Sequence, residues 1–194
     1  MSMDRRFYSL KMDLSVKGGR WRLDDPVDTQ GTKIDDLWLF GQGKPVALHE
    51  QLRIPVEQSR EPLDIGFAGE GLTPVVAERV ASIFREMAPN DVQLFPVEVE
   101  GQFHPYFILN VAREIRCIDD AASKEVELIS ADEELHADMA GQYRSVIGLR
   151  IDKSKVGGAR VFRLWGWPLP IIVDEEVKDA LEANGIFGAS FEEV

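Results

Sequence analysis

The stretch PIIVDEEVKDALEANGIFGASFEEV, residues 170–194, carries the signals of a strand, a helix and a second strand in that order. Four of its apolar residues repeat at the spacing i, i+4, i+7 and i+8, which forms one stripe along a helix: Val173, Val177, Ala180 and Leu181. Asp174 can cap the first free N–H groups, and the pair Asn184-Gly185 favours a left-handed stop. The pattern therefore predicts a helix over residues 174–184.

A second stretch, PVVAERVASIFREMAPNDVQLFPV, residues 74–97, shows the same order of signals. Its apolar stripe predicts a helix over residues 74–87 that starts from Thr73, with Pro74 in the first turn. Val80 and Val177 match at an offset of 97 residues, and the later FPV matches the F and V of FEEV with short gaps. Two interpretations stay open: a duplicated strand–helix–strand unit, or chance similarity between units that share apolar spacing.

Strand patterns dominate the rest of the chain. Residues 8–14 alternate apolar and polar side chains, which predicts a strand with one apolar face. LWLF (37–40) is predicted as a strand, and LRIPV (52–56) as an edge strand because it contains Pro55. Residues 92–100 and 106–114 predict an antiparallel hairpin, and residues 143–152 and 159–167 a second one. The predicted fold class is α+β, a mainly antiparallel sheet with two amphipathic helices on one face.

Length and composition are those of a soluble globular protein. The 194 residues, 44% of them hydrophobic, are enough for one substantial core, and we expect one compact domain. Within it, residues 1–62 are predicted to be irregular and β-rich, and residues 63–194 to be the α+β region. A single cysteine, no signal-peptide pattern and no apolar run of membrane-spanning length predict a cytoplasmic protein without a membrane segment.

The charge is strongly negative and unevenly distributed. The formal net charge is -12, which argues against nucleic acid or an anionic membrane as the partner. Eight acidic residues and one lysine lie between Asp119 and Asp138, and seven acidic residues and one lysine lie between Asp174 and Val194. These acids are either ordinary solvating residues or a surface that attracts a basic protein, because concentrated charge speeds encounters with an opposite partner.

No catalytic, metal or cofactor motif stands out. Cys117 shares the apolar parity of Ile115 and precedes Asp119 and Asp120, so we interpret it as a small buried hydrophobe rather than a nucleophile. The histidines are far apart, without zinc-ligand spacing, and no phosphate-binding glycine loop or nucleophile elbow is present. Adjacent acids on a strand point to opposite faces, so the acid pairs do not supply a glycosidase geometry by themselves.

The segment RLWGWPLP, residues 163–170, places Trp165 and Trp167 on either side of Gly166. Exposed tryptophans at this position would form an interface hot spot, whereas buried ones would belong to the core. Both readings stay open from the residues alone.

Several sequence segments together resemble those of a known family. They are LFPVEVEG (94–101), YFILNVAREIRCIDD (106–120), IDKSKVGGARVFRLWGW (151–167) and the C-terminal stretch quoted first. The chain resembles an immunity-protein family of bacterial polymorphic-toxin systems, with a myxobacterial prototype and an earlier listing as a domain of unknown function. The resemblance covers about residues 63–194.

This resemblance implies a non-enzymatic cytoplasmic protein that binds and neutralises a cognate toxin encoded by the adjacent gene. Family members lie beside varied toxin domains, nucleases among them. A nuclease needs basic residues for phosphates, and an acidic inhibitor can occupy that groove. The family marks no binding residues, so from charge and aromatic character we predict these partner contacts: Asp119, Asp120, Asp132, Glu133, Glu134, Trp165 and Trp167.

Two alternatives belong to other classes. A hydrolase would need two facing carboxylates with perturbed pKa values in a deep pocket. A self-associating structural module would bury Trp165 and Trp167 against a second copy of the chain.

Overall fold

The structure, a computed structural model, describes residues 5–132 and 138–194. Within these ranges it has two helices, α1 (Glu78–Met87) and α2 (Glu175–Ala183). The strands are β1 (Phe7–Met12), β2 (Arg22–Leu23), β3 (Leu52–Ile54), β4 (Val56–Gln58), β5 (Ile65–Ala68), β6 (Thr73–Ala77), β7 (Val92–Val99), β8 (Tyr106–Val111), β9 (Glu114–Ile115), β10 (Glu125–Leu128), β11 (Tyr143–Ile147), β12 (Val161–Leu164), β13 (Trp167–Asp174) and β14 (Ala189–Glu193). The α+β prediction is confirmed.

Two five-stranded sheets form the frame. The first sheet has the order β3-β7-β8-β6-β5 and the second has the order β14-β1-β13-β12-β9. Their pairings are antiparallel except β3 with β7 and β9 with β12. Side chains of both helices, such as Phe84 and Leu181, pack into a core to which both sheets contribute. A second core lies on the other face of the first sheet, and a third on the other face of the second sheet.

Burial on both faces explains why β1 departs from the predicted alternation. Tyr8 and Leu10 point into the core shared with the helices, whereas Phe7 points into the third core. Phe7 to Leu10 are all buried, so the strand has no solvated face in this part. The predicted apolar face is confirmed at Tyr8 and Leu10, but the opposite face is buried as well because a layer of chain covers it.

The two strand–helix–strand units share strand order and register. In the first unit β8 lies between β6 and β7, and in the second β1 lies between β13 and β14. Val76 pairs with Phe107, and Val173, which lies 97 residues later, pairs with Tyr8. The central strand thus follows β7 in the first unit but comes from the beginning of the chain in the second.

The offset continues through the strand after each helix. Leu94 pairs with Leu109, and Phe191, again 97 residues later, pairs with Leu10. This corrects the sequence alignment, which introduced short gaps to match Phe95 with Phe191. The hydrogen-bonded registers support a structural repeat over chance similarity, because apolar spacing alone does not fix which residues pair across a sheet.

Helix α2 starts as predicted, and α1 does not. The Asp174 carboxylate accepts the Val177 N–H at 2.9 Å, and Gly185 has a φ of 59° beyond the last turn. Thr73–Ala77, predicted as the start of the first helix, is instead strand β6, and the cap position is occupied by Ala77 without a side-chain hydrogen bond. Pairing of this segment with both β5 and β8 overrides the Thr-Pro start signal.

Two further strand predictions were wrong. LWLF forms a turn followed by a short 3-10 helix at Leu39–Gly41, which places Phe40 in the second core. The predicted second hairpin does not form, because β11 pairs with β10 while β12 pairs with β13. Gly166, with a φ of 73°, makes the turn into β13. The predicted hairpin of β7 with β8 and the edge position of β3 are confirmed.

An arginine ties each helix terminus to the opposite unit. Arg79 on α1 pairs with Asp64 and donates to the Asn184 carbonyl after α2 at 3.2 Å. Arg160 pairs with Asp174 at 2.9 Å and donates to the Met87 carbonyl at the end of α1 at 3.3 Å. Each guanidinium satisfies a carbonyl that a helix end leaves free.

We expect Asp174→Ala to lower the free energy of unfolding by about 3–5 kcal/mol, because it removes one partner of a buried ion-pair cluster together with a helix cap. Asp174 is 2% exposed and contacts Arg5 and Arg160. Urea unfolding measures the change. Asp179→Ala, on the solvated side of the same helix, is the control and should change stability by less than about 0.5 kcal/mol. Equal effects of the two substitutions would contradict this role of Asp174.

Candidate functional site

Between β9 and β12 the described residues 117–132 and 138–160 form a separate layer on the second sheet, called here the outer segment. Cys117, Ile151 and Val156 anchor it in the third core against Phe162 and Ile172 of the sheet. Hairpin β10–β11 extends from this base, with most of its side chains exposed. The outer segment thus has an apolar base, and hairpin β10–β11 adds exposed side chains, while Tyr143 and Val146 of β11 still pack against the third core.

The first two predicted contact residues lie at the base of the outer segment. The Asp119 carboxylate accepts the Ala121 and Ala122 N–H groups at 3.1 and 3.0 Å and so holds a tight turn. The Asp120 carboxylate accepts the Tyr143 hydroxyl at 2.7 Å. Burial raises the pKa of the Tyr143 phenol to about 12, and the Asp120 hydrogen bond and charge act in the same direction. Both carboxylates therefore also have structural contacts.

Most described acids of the outer segment are free of ion pairs. Two of the seven form ion pairs, Glu127 with Arg144 and Asp152 with Lys155, each at 3.2 Å. Five others make no ion pair with any residue in the described ranges: Asp119, Asp120, Glu125, Asp132 and Asp138. Of these, all but the half-buried Asp119 are exposed. Glu133 and Glu134, which were also predicted as contacts, lie outside the described residues.

The C-terminal acids behave differently, although the sequence gives both regions nearly equal charge. In the described chain, six of the seven acids between Asp174 and Val194 form ion pairs, and their partners are Arg5, Arg6, Lys11, Arg160 and Lys178. Glu193 is the exception. Exposed acids without a described ion pair are therefore concentrated between Asp119 and Asp138, although single acids of this kind, such as Glu50, also lie elsewhere in the described chain.

The two tryptophans are both half-buried and have different surroundings. The Arg116 guanidinium lies 4.1 Å from the ring centroid of Trp165, a cation–π contact. Trp167 packs against the third core and also lines a groove of about 310 Å³. The structure therefore gives each tryptophan one packed side and one accessible side, a condition met by interface anchors.

The groove beside Trp167 is apolar and contains a residue that the sequence did not reveal. It lies between the end of β1, the turn before β6 and hairpin β10–β11, and is lined by Met12, Phe67, Leu72, Val146, Leu149 and Leu169 among others. Leu72 is 44% exposed at a φ of 49°, the only positive φ of a non-glycine residue in the described chain.

The turn that carries Leu72 is held rigidly from both sides. A Cβ on Gly71 would lie 1.8 Å from the Leu37 carbonyl oxygen, and one on Gly69 would lie 1.8 Å from the Asp25 carboxylate. The buried Asp25 also accepts the Glu70 N–H at 2.9 Å. An exposed leucine in a left-handed conformation costs about 1–2 kcal/mol and persists only where the surroundings fix it. The flanking glycines were the one sequence signal for it.

A polar cleft of about 710 Å³ next to β2 contains several carboxylates. The Asp25 N–H and the Lys33 ammonium keep the pKa of Asp24 below its usual range, and the two aspartates raise the pKa of Lys33. Glu114, whose pKa is raised by burial, is not among the residues that line this cleft. The cleft thus holds ion-paired carboxylates, whereas acid catalysis needs a carboxyl that keeps its proton.

Cys117 is fully buried, and desolvation raises the pKa of its thiol to about 12, as expected for a packed cysteine. His49 and His104 are exposed, and His136 lies outside the described ranges. Within those ranges no group of histidine, cysteine or acidic side chains has metal-ligand geometry. Neither described helix is long and apolar enough to span a bilayer.

Comparison with protein families places nearly the whole chain in one family. The family model described as the immunity protein family Imm11 matches residues 6–194. The chain belongs to the Imm11 immunity protein family. Membership implies that it binds a cognate toxin in a non-catalytic role. A search of curated proteins finds no match. The Imm11 match also includes the N-terminal part, beyond the range over which the sequence resemblance was noted.

The contact between Asp120 and Tyr143 gives a pH prediction for this Imm11 protein. Because the pKa of Tyr143 is raised above its ordinary value of 10 to about 12, the folded state holds this proton more strongly than the unfolded state. The stabilisation is complete below pH 10 and is lost as the pH rises towards 12. Asp120→Asn should lower the pKa of Tyr143, measured by the ¹³Cζ shift of labelled tyrosine, whereas Asp119→Asn should leave it unchanged. An unchanged titration in Asp120→Asn would contradict the assigned contact.

Proposed function

We propose that this protein neutralises a toxin encoded by the adjacent gene by docking the outer segment over a basic functional surface of that toxin. The complex forms in the cytoplasm of the producing cell and blocks the toxin sterically. A nuclease is the toxin class that the charge favours, since a nuclease must present lysine and arginine to phosphates. No substrate is transformed in this mechanism.

The observation that carries the proposal is the difference between the two acidic regions. Ion pairs within the fold neutralise six of the seven described C-terminal acids, whereas Asp120, Glu125, Asp132 and Asp138 of the outer segment are exposed and have no ion-pair partner in the described chain. Unpaired charge concentrated on one surface creates a field that steers an oppositely charged partner and raises the association rate. Such steering weakens as salt increases, with a Debye length of about 8 Å at physiological ionic strength.

Affinity needs apolar contact in addition to charge. The groove lined by Trp167 and Leu72 lies directly beside hairpin β10–β11 and shares Val146 and Leu149 with the outer segment. An apolar pocket next to a charged rim matches the anatomy of tight interfaces, in which a few desolvated anchors supply most of the binding energy. Trp165, stacked on Arg116, lies outside the outer segment, in the turn between β12 and β13, and adds a further half-buried aromatic ring.

Charge reversal in the outer segment tests the proposal directly. We expect the triple variant Glu125→Lys, Asp132→Lys and Asp138→Lys to bind the toxin at least about tenfold more weakly, mainly through slower association at low salt. The measurements are association rates against salt concentration and survival of cells that express the toxin. All three positions are exposed and free of described ion pairs, so the fold should tolerate the changes.

The matched control carries the same change in net charge at another place. Glu50→Lys, Glu61→Lys and Glu86→Lys replace exposed acids outside the outer segment that also lack described ion pairs. This control should bind the toxin and protect cells to within about twofold of the unchanged protein, once the general effect of the changed net charge on association is subtracted. Equal loss in both triple variants would show that only total charge matters, and full protection by the first would exclude the outer segment as the contact.

A further inference from the structure

Strand β14 forms one edge of the second sheet, and its hydrogen bonds to β1 alternate along the strand. The Asp13 N–H donates to the Gly188 carbonyl and the Val194 N–H donates to the Phe7 carbonyl, each at 3.0 Å. With the antiparallel register, these two bonds fix which backbone groups from Gly188 to Val194 face β1: those of Gly188, Ser190, Glu192 and Val194. The backbone groups of Ala189, Phe191 and Glu193 therefore point away from the sheet.

Most of these outward groups have no hydrogen-bond partner in the described chain. Among the described residues, the N–H groups of Ala189, Phe191 and Glu193 have no acceptor, and the carbonyls of Ala189 and Phe191 have no donor. The Glu193 carbonyl accepts the Arg150 guanidinium at 2.9 Å. An edge with free alternating donors and acceptors is a template for another strand.

The structural repeat shows how the equivalent edge is protected in the first unit. The position of Glu193 corresponds to Pro96 in β7, which has no N–H to offer. Strand β3 then covers the edge of β7 from Val97 onwards by parallel pairing. In the described chain the edge of β14 has neither protection. Glu193 has an N–H where β7 has a proline, and no strand lies beside Val194.

We propose that a strand of the cognate toxin adds to the outer edge of β14 and extends the second sheet. The inference rests on the proposed function and names the mode of contact. The outer segment lies beside this edge, because Arg150, which caps the Glu193 carbonyl, also has its own carbonyl bonded by the Asp119 N–H at 2.9 Å. One partner can therefore reach the edge and the free acids together.

The charge of β14 favours a strand of the toxin, rather than a second copy of this chain, as the strand that pairs with its outer edge. Each β14 carries Glu192 and Glu193 within five residues, so pairing of two copies would gather four carboxylates in one short ladder. Lys11 compensates Glu192 within the chain, whereas Glu193 makes no ion pair in the described residues and has only a weaker electrostatic interaction with Arg6. A partner strand with lysine or arginine opposite Glu193 relieves this charge, whereas self-pairing increases it.

Residue-resolved amide exchange tests the proposal with the whole protein and the cognate toxin domain. In the free protein we expect fast exchange at Ala189, Phe191 and Glu193 and slow exchange at Ser190 and Glu192. Toxin binding should slow the three outward amides at least about tenfold and leave the inward pair unchanged. This period-two pattern is specific to strand addition, since docking by side chains alone does not select alternate amides.

A backbone variant provides the matched comparison. N-methylation of Phe191, introduced by joining a synthetic 189–194 peptide to residues 1–188, removes one outward donor and leaves the bonds to β1 intact. We expect toxin binding about tenfold or more weaker than for the unmethylated protein joined in the same way. Unchanged thermal unfolding of the two proteins shows that the fold is retained.

The outcomes separate the two proposals. Toxin binding without protection of alternate outward amides overturns strand addition and leaves the proposed function in place. Alternate protection that appears with rising concentration of this protein alone assigns the edge to a second copy and overturns the toxin as occupant. Absence of toxin binding overturns the proposed function and strand addition with it.

Discussion

The insertion of β1 between β13 and β14 is the contact on which the second half of the molecule depends. Without this strand, β13 and β14 have no common neighbour in the second sheet. The strand also contributes to two cores, because Tyr8 and Leu10 pack towards the helices and Phe7 supports the outer segment. Arg5, directly before it, pairs with Asp174 at the start of α2. One short segment at the beginning of the chain thus joins sheet, helix and candidate binding surface.

The sequence predicted the fold where the signals are local and failed where distant pairing decides. Helix α2 was predicted correctly because its cap, apolar stripe and stop lie within a dozen residues. The start of α1 was missed because Pro74 suits both a first helical turn and a strand, and pairing with β5 and β8 selects the strand. Strand β10 has a mostly exposed EVEL pattern, so nothing local identified it as the partner of β11.

The candidate site was predictable in composition but not in geometry. Counting charges gave two acidic regions of nearly equal strength, and only the fold distinguishes them. Lys11 meets Glu192 across the sheet although the two are far apart in the chain, and such long-range pairs neutralise one region selectively. Leu72 carries no sequence signal beyond its neighbouring glycines, because its exposure and φ depend on the Leu37 backbone packed against Gly71.

The repeat separates what holds the molecule together from what distinguishes its two halves. Both units have the same strand order and register. These shared features therefore cannot explain why a partner would bind one unit and not the other. The additions differ: the N-terminal part covers the first unit and places β3 along its edge, whereas the outer segment covers the second with unpaired acids and leaves β14 open. Because the outer segment is anchored by apolar residues and exposes polar ones, its exposed side chains can change without disturbing the third core. Binding specificity can therefore reside in the added chain. The repeated units supply a rigid support, so little conformational entropy is lost when a partner binds.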